Sequence, residues 1–112
     1  MPGSGYSLRA VQVAADLDAL TGPRTGRHHL PLHLESSARQ PFDFADPGQR
    51  EEAYVLVLLS AGRVEDLQDW LDRDELMSLW PQLYLPRAVR AAWQDRHPVL
   101  AATGLAAHVP QP

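Results

Sequence analysis

Three histidines lie close together and are the first candidates for chemistry. They are His28, His29 and His33. The last two stand four positions apart, a spacing that places metal ligands on one face of a helix, but Pro31 lies between them and opposes a helix. In an extended chain these two side chains lie roughly 13 Å apart at ~3.3 Å per residue, too far to share one ion. The sequence therefore favours exposed loop histidines over a metal site.

A cluster of carboxylates is the second candidate. It comprises Glu65, Asp66, Asp69, Asp72, Asp74 and Glu75. The spacing lacks the alternating Asp/Asn pattern and central glycine of a calcium loop. The favoured interpretation is a solvated helical face, with Glu65, Asp66 and Asp69 in water and Asp72 or Asp74 capping a helix. A basic patch on a partner protein could still recognise such a face.

Three arginines, Arg87, Arg90 and Arg96, follow Pro86 on a predicted helix. Two short helices before an arginine-bearing helix is also the order of a helix-turn-helix motif, so a small DNA-binding transcriptional regulator is the alternative function. The turn lacks the usual glycine, the acids upstream repel phosphates, and the formal net charge is −4. Salt bridges to neighbouring helices are the favoured role of these arginines.

The large aromatic side chains are predicted to be mainly core: Tyr54, Trp70, Trp80, Tyr84 and Trp93. Residues 79–86 are nevertheless rich in amphipathic side chains for a predicted loop, and Trp, Tyr and Arg are typical of interface hot spots. The predicted partner-binding residues are therefore Trp80, Tyr84, Arg87, Arg90, Asp69 and Asp72.

The inventory for catalysis is thin. The hydroxyl side chains considered are Ser36, Ser37, Ser60, Ser78 and Thr103, none with a histidine at a suggestive spacing. There is no glycine-rich phosphate loop. We expect neither an enzyme nor a bound cofactor.

Composition limits the class of protein further. The 112 residues have room for one domain, and the absence of cysteine suits a reducing cytoplasm. No run approaches 18 apolar residues, so no membrane partner is expected. All ten basic residues are arginine, and lysine, isoleucine and asparagine are absent. Codons for the three missing residues are AT-rich, which indicates a GC-rich bacterial genome.

The strongest helix signal lies at Asp46-Pro47. Asp46 is a good N-cap, Pro47 suits the first helical position, and Gln49 can complete a capping box. Gly62 is predicted to end this helix in the left-handed conformation. Residues 53–59 are apolar nearly all round, which predicts a central helix.

Two short helices and a final one are predicted after it. They cover residues 64–71, a stretch containing Leu76 to Trp80, and residues 86–96. Pro81 is expected to bias Trp80 away from helical geometry. On the final helix we expect Val89, Ala92 and Trp93 to face inward, and Arg87, Arg90 and Gln94 to face outward.

The N-terminal part is predicted to form a helix over residues 8–20, capped by Ser7, with a strand over residues 7–13 as the competing interpretation. Residues 29–34 alternate with period two around Pro31, which predicts an extended arm or an edge strand, with its leucines across the core or a partner.

The block of residues 42–93 carries a resemblance. Its elements are Asp46-Pro47 before a helix with Arg50, Glu51 and Tyr54, and then the run Leu-Trp-Pro-x-Leu-Tyr-Leu-Pro-Arg-x-Val-Arg-x-x-Trp at residues 79–93. It resembles small proteins of GC-rich bacteria encoded beside nucleotidyltransferase-type toxins of abortive-infection systems. The resemblance implies an antitoxin-like or accessory protein that acts by binding its neighbour, and its motifs are structural.

The sequence thus predicts a mostly α-helical single small domain of four or five short helices with an extended N-terminal arm. Residues 1–45 form the N-terminal helix and arm, residues 46–97 the helical core and residues 98–112 a tail. The predicted function is a non-enzymatic protein-interaction module of the cytoplasm that binds and regulates a protein partner.

Overall fold

The longest helix begins at the predicted Asp46-Pro47 signal. In the computed structural model, which describes residues 11–34 and 41–102, α1 spans Pro47–Ser60. The Asp46 carboxylate accepts a hydrogen bond from the backbone N–H of Gln49 at 2.9 Å, which satisfies an amide that has no partner within the helix. The Gln49 side chain does not complete the capping box. Its oxygen instead accepts the N–H of Asp43 at 2.9 Å, tying the preceding segment to the helix.

The end of α1 differs from the prediction. The helix stops at Ser60, and Ala61 has φ −59° and ψ 126°, so the chain leaves in an extended conformation. Gly62 is not left-handed, since Gly26, with φ 89°, is the one glycine of the described residues with positive φ. The Gly62 N–H donates to the Asp66 carboxylate at 3.2 Å. The turn is therefore held by an acid from the next helix and requires no left-handed residue.

Two seven-residue helices follow: α2 at Val64–Trp70 and α3 at Arg73–Leu79. Asp72 caps α3 by accepting the N–H of Glu75 at 3.1 Å. A 3-10 turn, Trp80–Gln82, continues directly from α3. Trp80 keeps helical angles of φ −48° and ψ −46°, so the predicted bias of Trp80 away from helical geometry is wrong. Proline fits here because the first turn of a helix does not use its N–H.

The last named helix, α4, spans Arg87–Arg96. Pro86 occupies the capping position rather than the first helical position, a shift of one residue from the prediction. Residues 98–102 are again helical after a break at His97. The chain is a mostly helical single globule, as predicted. No helix in the described ranges is long and apolar enough to cross a bilayer.

The predicted N-terminal helix is wrong over the part that is described. Residues 11–16 are irregular, and only the 3-10 turn Leu17–Ala19 follows. The Asp16 side chain accepts the N–H of Asp18 at 2.9 Å, and such local bonds compete with helix continuation. The proposed cap Ser7 lies outside the described residues. Residues 11–13 belong to no strand either.

The predicted extended arm is a turn. The Leu34 N–H donates to the carbonyl of Pro31 at 2.8 Å, which closes a four-residue turn. Leu30 and Leu34 are buried and Leu32 is 70% exposed, so two of the three leucines lie on the core. The strands lie before and after this turn in sequence: β1 (Arg27–His28) pairs antiparallel with β2 (Phe42–Asp43).

The N-terminal segment completes the end of α2. Thr21 and Gly22 donate their N–H groups to the carbonyls of Gln68 and Leu71, at 3.0 and 2.8 Å. These carbonyls belong to the end of α2, where helices leave acceptors unpaired. A Cβ at Gly22 would lie 2.3 Å from the carbonyl carbon of Trp70. Glycine is therefore required here by a close backbone contact.

The core combines residues from most of the described chain. Its largest fully buried side chains are Trp80, Trp93, Tyr54, Phe44, Leu67, Leu71, Leu76 and Leu100. The rings of Trp80 and Trp93 lie 6.3 Å apart between centroids. His97 Nε2 lies 2.6 Å from the carbonyl oxygen of Ala14, which fixes the irregular N-terminal segment against the end of α4.

Candidate interaction surface

Arg90, predicted to face outward for a partner, is directed into the protein. Its guanidinium donates to the carbonyl of Trp80 at 3.2 Å and also to the carbonyl of Leu83. The Cζ atom lies 5.0 Å from the centroid of the Trp80 ring, within the range of a cation–π contact. Arg90 therefore joins α4 to the 3-10 turn and is not offered to a partner.

Trp80, the second predicted contact residue, is fully buried. Its indole Nε1–H donates to the Gln94 side-chain oxygen at 3.0 Å, so Gln94 also faces inward, contrary to the prediction. A side chain enclosed on all sides cannot contact a partner without unfolding this corner. Trp80 is part of the core that shapes the surface.

Tyr84 and Arg87 remain available. Tyr84 is 92% exposed, and Arg87, three positions later, is exposed at the start of α4. The backbone just before Tyr84 is held firmly: Leu83 is 2% exposed, donates its N–H to the carbonyl of Leu79 at 3.2 Å and accepts the Arg90 bond. We call Tyr84 and Arg87 the Tyr84 surface. It presents an aromatic ring and a guanidinium from a fixed loop.

The two predicted acidic contact residues have different surroundings. Asp69 is exposed on α2. Asp72 is engaged: besides capping α3 it lies 3.6 Å from the Nε of Arg24. Arg24 also donates to Glu75 at 3.2 Å, and the Nε of Arg50 lies 3.2 Å from the other oxygen of Glu75, without the geometry of a hydrogen bond. Asp72 thus belongs to a structural ion-pair network that joins the N-terminal segment, α1 and α3.

Asp66, predicted to face water, is 2% exposed. One oxygen accepts from His33 at 2.9 Å and from Arg63 at 3.1 Å, and the other accepts from the Gly62 N–H. Burial raises the pKa of Asp66, but the hydrogen bonds from His33, Arg63 and Gly62 outweigh it, so the pKa lies below its usual value. This carboxylate holds the residue 31–34 turn against α2.

The three clustered histidines have different surroundings in the structure. His28 Nε2 is 3.0 Å from the carbonyl of Thr25, and its ring packs edge-on against Phe44. His33 binds Asp66, and His29 is exposed. Within residues 11–34 and 41–102, no group of three or more His, Asp and Glu side chains could hold a metal ion.

Sequence reasoning missed the outer face of α1. Ala53, Tyr54, Val57 and Leu58 are buried on the inner face. On the opposite side Val55 and Leu56 are only partly buried and Leu59 is 43% exposed. The apolar run predicts a central helix, whereas in the structure Val55 and Leu56 pack only partly against the core and Leu59 is exposed.

The helix-turn-helix interpretation loses one of its three arginines. Arg87 and Arg96 are exposed on α4, but Arg90 between them is bonded to Trp80 and Leu83. A recognition helix needs its polar side chains free to reach base edges and phosphates. Arg90 is therefore not free to contact DNA in this arrangement.

No family model matches the chain, and neither a curated protein nor a solved structure matches it.

Proposed function

We propose that this chain is a non-enzymatic protein-interaction module of the bacterial cytoplasm, antitoxin-like or accessory in role, which binds and regulates a protein partner. The exposure of Tyr84 carries the proposal. A ring that is 92% exposed contributes nothing to the core of its own domain, yet the backbone just before it is fixed by Arg90. Such a side chain contributes binding energy when a partner covers it.

The fixed loop matters for affinity. Arg90 bonds the carbonyls of Trp80 and Leu83, so the backbone before Tyr84 does not have to become ordered on binding. Ordering costs reduce affinity, and a surface arranged in advance avoids them. Arg87 beside it adds a planar donor suited to carboxylates or to an aromatic face of the partner.

The resemblance to proteins encoded beside toxin genes defines the first partner to test, which is the product of the neighbouring gene. Tagged full-length chain is co-expressed with it and isolated by affinity and size exclusion. We expect a stable complex with the unaltered chain and a loss of affinity of about tenfold or more with Tyr84→Ala, as for a hot-spot residue.

Leu32→Ala is the matched control. Leu32 is also an exposed apolar residue, at 70% exposure, but it lies in the residue 31–34 turn and not in the Tyr84 surface. It should leave the complex intact. A chain that forms no stable complex, or a complex unaffected by Tyr84→Ala, contradicts the proposal.

A further inference from the structure

The residues between the 3-10 turn and α4 have an extended backbone. They are Leu83, Tyr84, Leu85 and Pro86, and they belong to no helix or strand. Leu83 has φ −69° and ψ 132°, and Pro86 has φ −58° and ψ 149°. Polyproline II lies at about −75° and +145°, whereas the φ of a β-strand is about −120° to −140°. Both ends of the segment therefore have polyproline II geometry, and the proline after Leu85 excludes helical angles there.

Arg90 holds this segment at its two ends. Its guanidinium donates to the carbonyl of Leu83, and its backbone N–H donates to the carbonyl of Pro86 at 3.1 Å. Between these points, the N–H and carbonyl groups of Tyr84 and Leu85 form no hydrogen bond to any other described residue. Polyproline II has no internal hydrogen bonds and leaves its main chain solvated. The middle of the segment is thus free to bind, in a conformation that the domain maintains.

Tyr84 and Arg87 lie on one edge of the segment. Polyproline II has about three residues per turn and rises about 3.1 Å per residue, so positions three apart share an edge at roughly 9 Å. The Leu83 side chain is 2% exposed, and Leu85 packs partly against the core. The remaining edge carries the 92% exposed Tyr84 and the exposed Arg87, which forms no ion pair within the described ranges. One edge is therefore directed at solvent with an aromatic ring and a free cation.

We propose that residues 83–87 are a polyproline II ligand, and that the partner binds them in a groove lined by aromatic side chains with a carboxylate at Arg87. Such grooves recognise a preformed segment that loses little entropy on binding. A guanidinium binds a carboxylate through two parallel hydrogen bonds, which fixes the direction of the segment in the groove. The inference rests on the proposed function, because it names the chemistry of the partner surface that covers Tyr84.

The conformation is tested on the full chain without a partner. In the isotope-labelled protein, the three-bond couplings between the N–H and Hα protons of Tyr84 and Leu85 report their φ angles. We expect the smaller couplings of a φ near −75°. Large couplings typical of a β-strand would overturn the inference, since an extended β segment would bind instead by adding a strand to a partner sheet.

The contacts are tested in the complex with the product of the neighbouring gene. Pro86→Ala and Arg87→Gln should each weaken binding by about tenfold. The matched controls are Pro47→Ala, an exposed proline at the start of α1, and Arg96→Gln, an exposed arginine at the end of α4. Both controls should bind as the unaltered chain does, and thermal unfolding shows that each variant is folded.

A competitor tests the chemistry of the groove. The probe is a synthetic peptide, Pro-Pro-Leu-Tyr-Leu-Pro-Arg-Pro, whose prolines favour the polyproline II conformation. We expect it to displace the full chain from the partner. The same peptide with glutamate in place of arginine should not compete, because the carboxylate in the groove repels it.

The outcomes separate this inference from the proposed function. A complex that Tyr84→Ala weakens, but that Pro86→Ala and Arg87→Gln leave unchanged, keeps the interaction function and overturns the polyproline II ligand. Equal competition by the two peptides, or by neither, overturns it too, as does equal weakening by Pro47→Ala or Arg96→Gln. If no complex forms, both proposals fail.

Discussion

The Tyr54 hydroxyl oxygen accepts a hydrogen bond from the backbone N–H of Asp72 at 2.9 Å. Tyr54 is fully buried in the middle of α1, and Asp72 caps α3. One bond therefore positions the start of α3 against the longest helix. The same residue, Asp72, receives Arg24 from the N-terminal segment, so three parts of the chain meet at this point.

Tyr54→Phe removes the hydroxyl oxygen, so the Asp72 N–H loses its hydrogen-bond acceptor. Because a polar group that loses its only partner in a part-buried site costs about 1–3 kcal/mol, we expect the free energy of unfolding to fall by that amount. Urea denaturation measures it. Tyr84→Phe makes the same chemical change on an exposed ring and should be neutral, so equal losses in the two variants would refute the structural role of the bond.

Because of Asp66, the free energy of unfolding should decrease at acid pH. Its pKa is lower in the folded chain than the ordinary value of about 3.9. The unfolded chain thus binds the proton first as pH falls. The stabilisation is fully present above about pH 5 and is lost progressively as pH falls through the folded pKa.

Asp66→Asn should reduce the loss of stability at low pH. It should also lower the free energy of unfolding by about 1–3 kcal/mol at pH 7, because an amide cannot accept all three donors as the carboxylate does. Unfolding free energy measured against pH tests it. Asp69→Asn, at an exposed site on the same helix, should lose stability at low pH as the unaltered chain does. If the free energy of unfolding falls equally steeply with falling pH in both variants, the role assigned to Asp66 is incorrect.

Arg90→Lys should destabilise the chain by about 1–2 kcal/mol, because an ammonium group cannot reach two carbonyls in the fixed fork of a guanidinium while covering an indole ring. Thermal unfolding followed by tryptophan fluorescence measures the loss. Arg87→Lys changes an exposed arginine on the same helix and should shift the midpoint little. An unchanged unfolding midpoint in Arg90→Lys would show that the bonds to Trp80 and Leu83 contribute no net stability.

Gly22→Ala and Gly48→Ala form a matched pair with opposite expected signs. At Gly22 the added carbon meets backbone atoms of Trp70 and Leu71 at 2.3–2.7 Å, which forces the segments apart and should cost about 2–3 kcal/mol. At Gly48 the nearest atom is 3.5 Å away, and alanine in a helix should gain about 0.5–1 kcal/mol. Chemical denaturation of both variants distinguishes this from a general effect of alanine.

The parts of the fold predicted correctly depend on neighbouring residues. Asp46 caps α1 through an amide three positions away, and Asp72 caps α3 in the same way. Such contacts join residues close in sequence, so residue types and their spacing are enough to predict them. The order and approximate limits of α1, α2, α3 and α4 follow from these signals.

The errors arise where a distant residue decides the outcome. Asp66 was expected in water because of its position on α2, but His33, 33 positions away in sequence, lies against it. Residues 11–20 have apolar spacing compatible with a helix, yet the adjoining Thr21 and Gly22 pair with the end of α2 instead. Of the predicted contact residues, Tyr84, Arg87 and Asp69 are exposed, while Trp80, Arg90 and Asp72 stabilise the fold. Residue type alone could not separate these two groups.

The contact of Ala14 with His97 has a consequence for synthesis of the chain. It joins positions 83 residues apart, and Ala14 is fully buried there. During translation this contact can form only after α4 and His97 have left the ribosome. Until then the segment around Ala14 lacks this contact, and apolar surface left exposed in a partly folded chain is prone to aggregation.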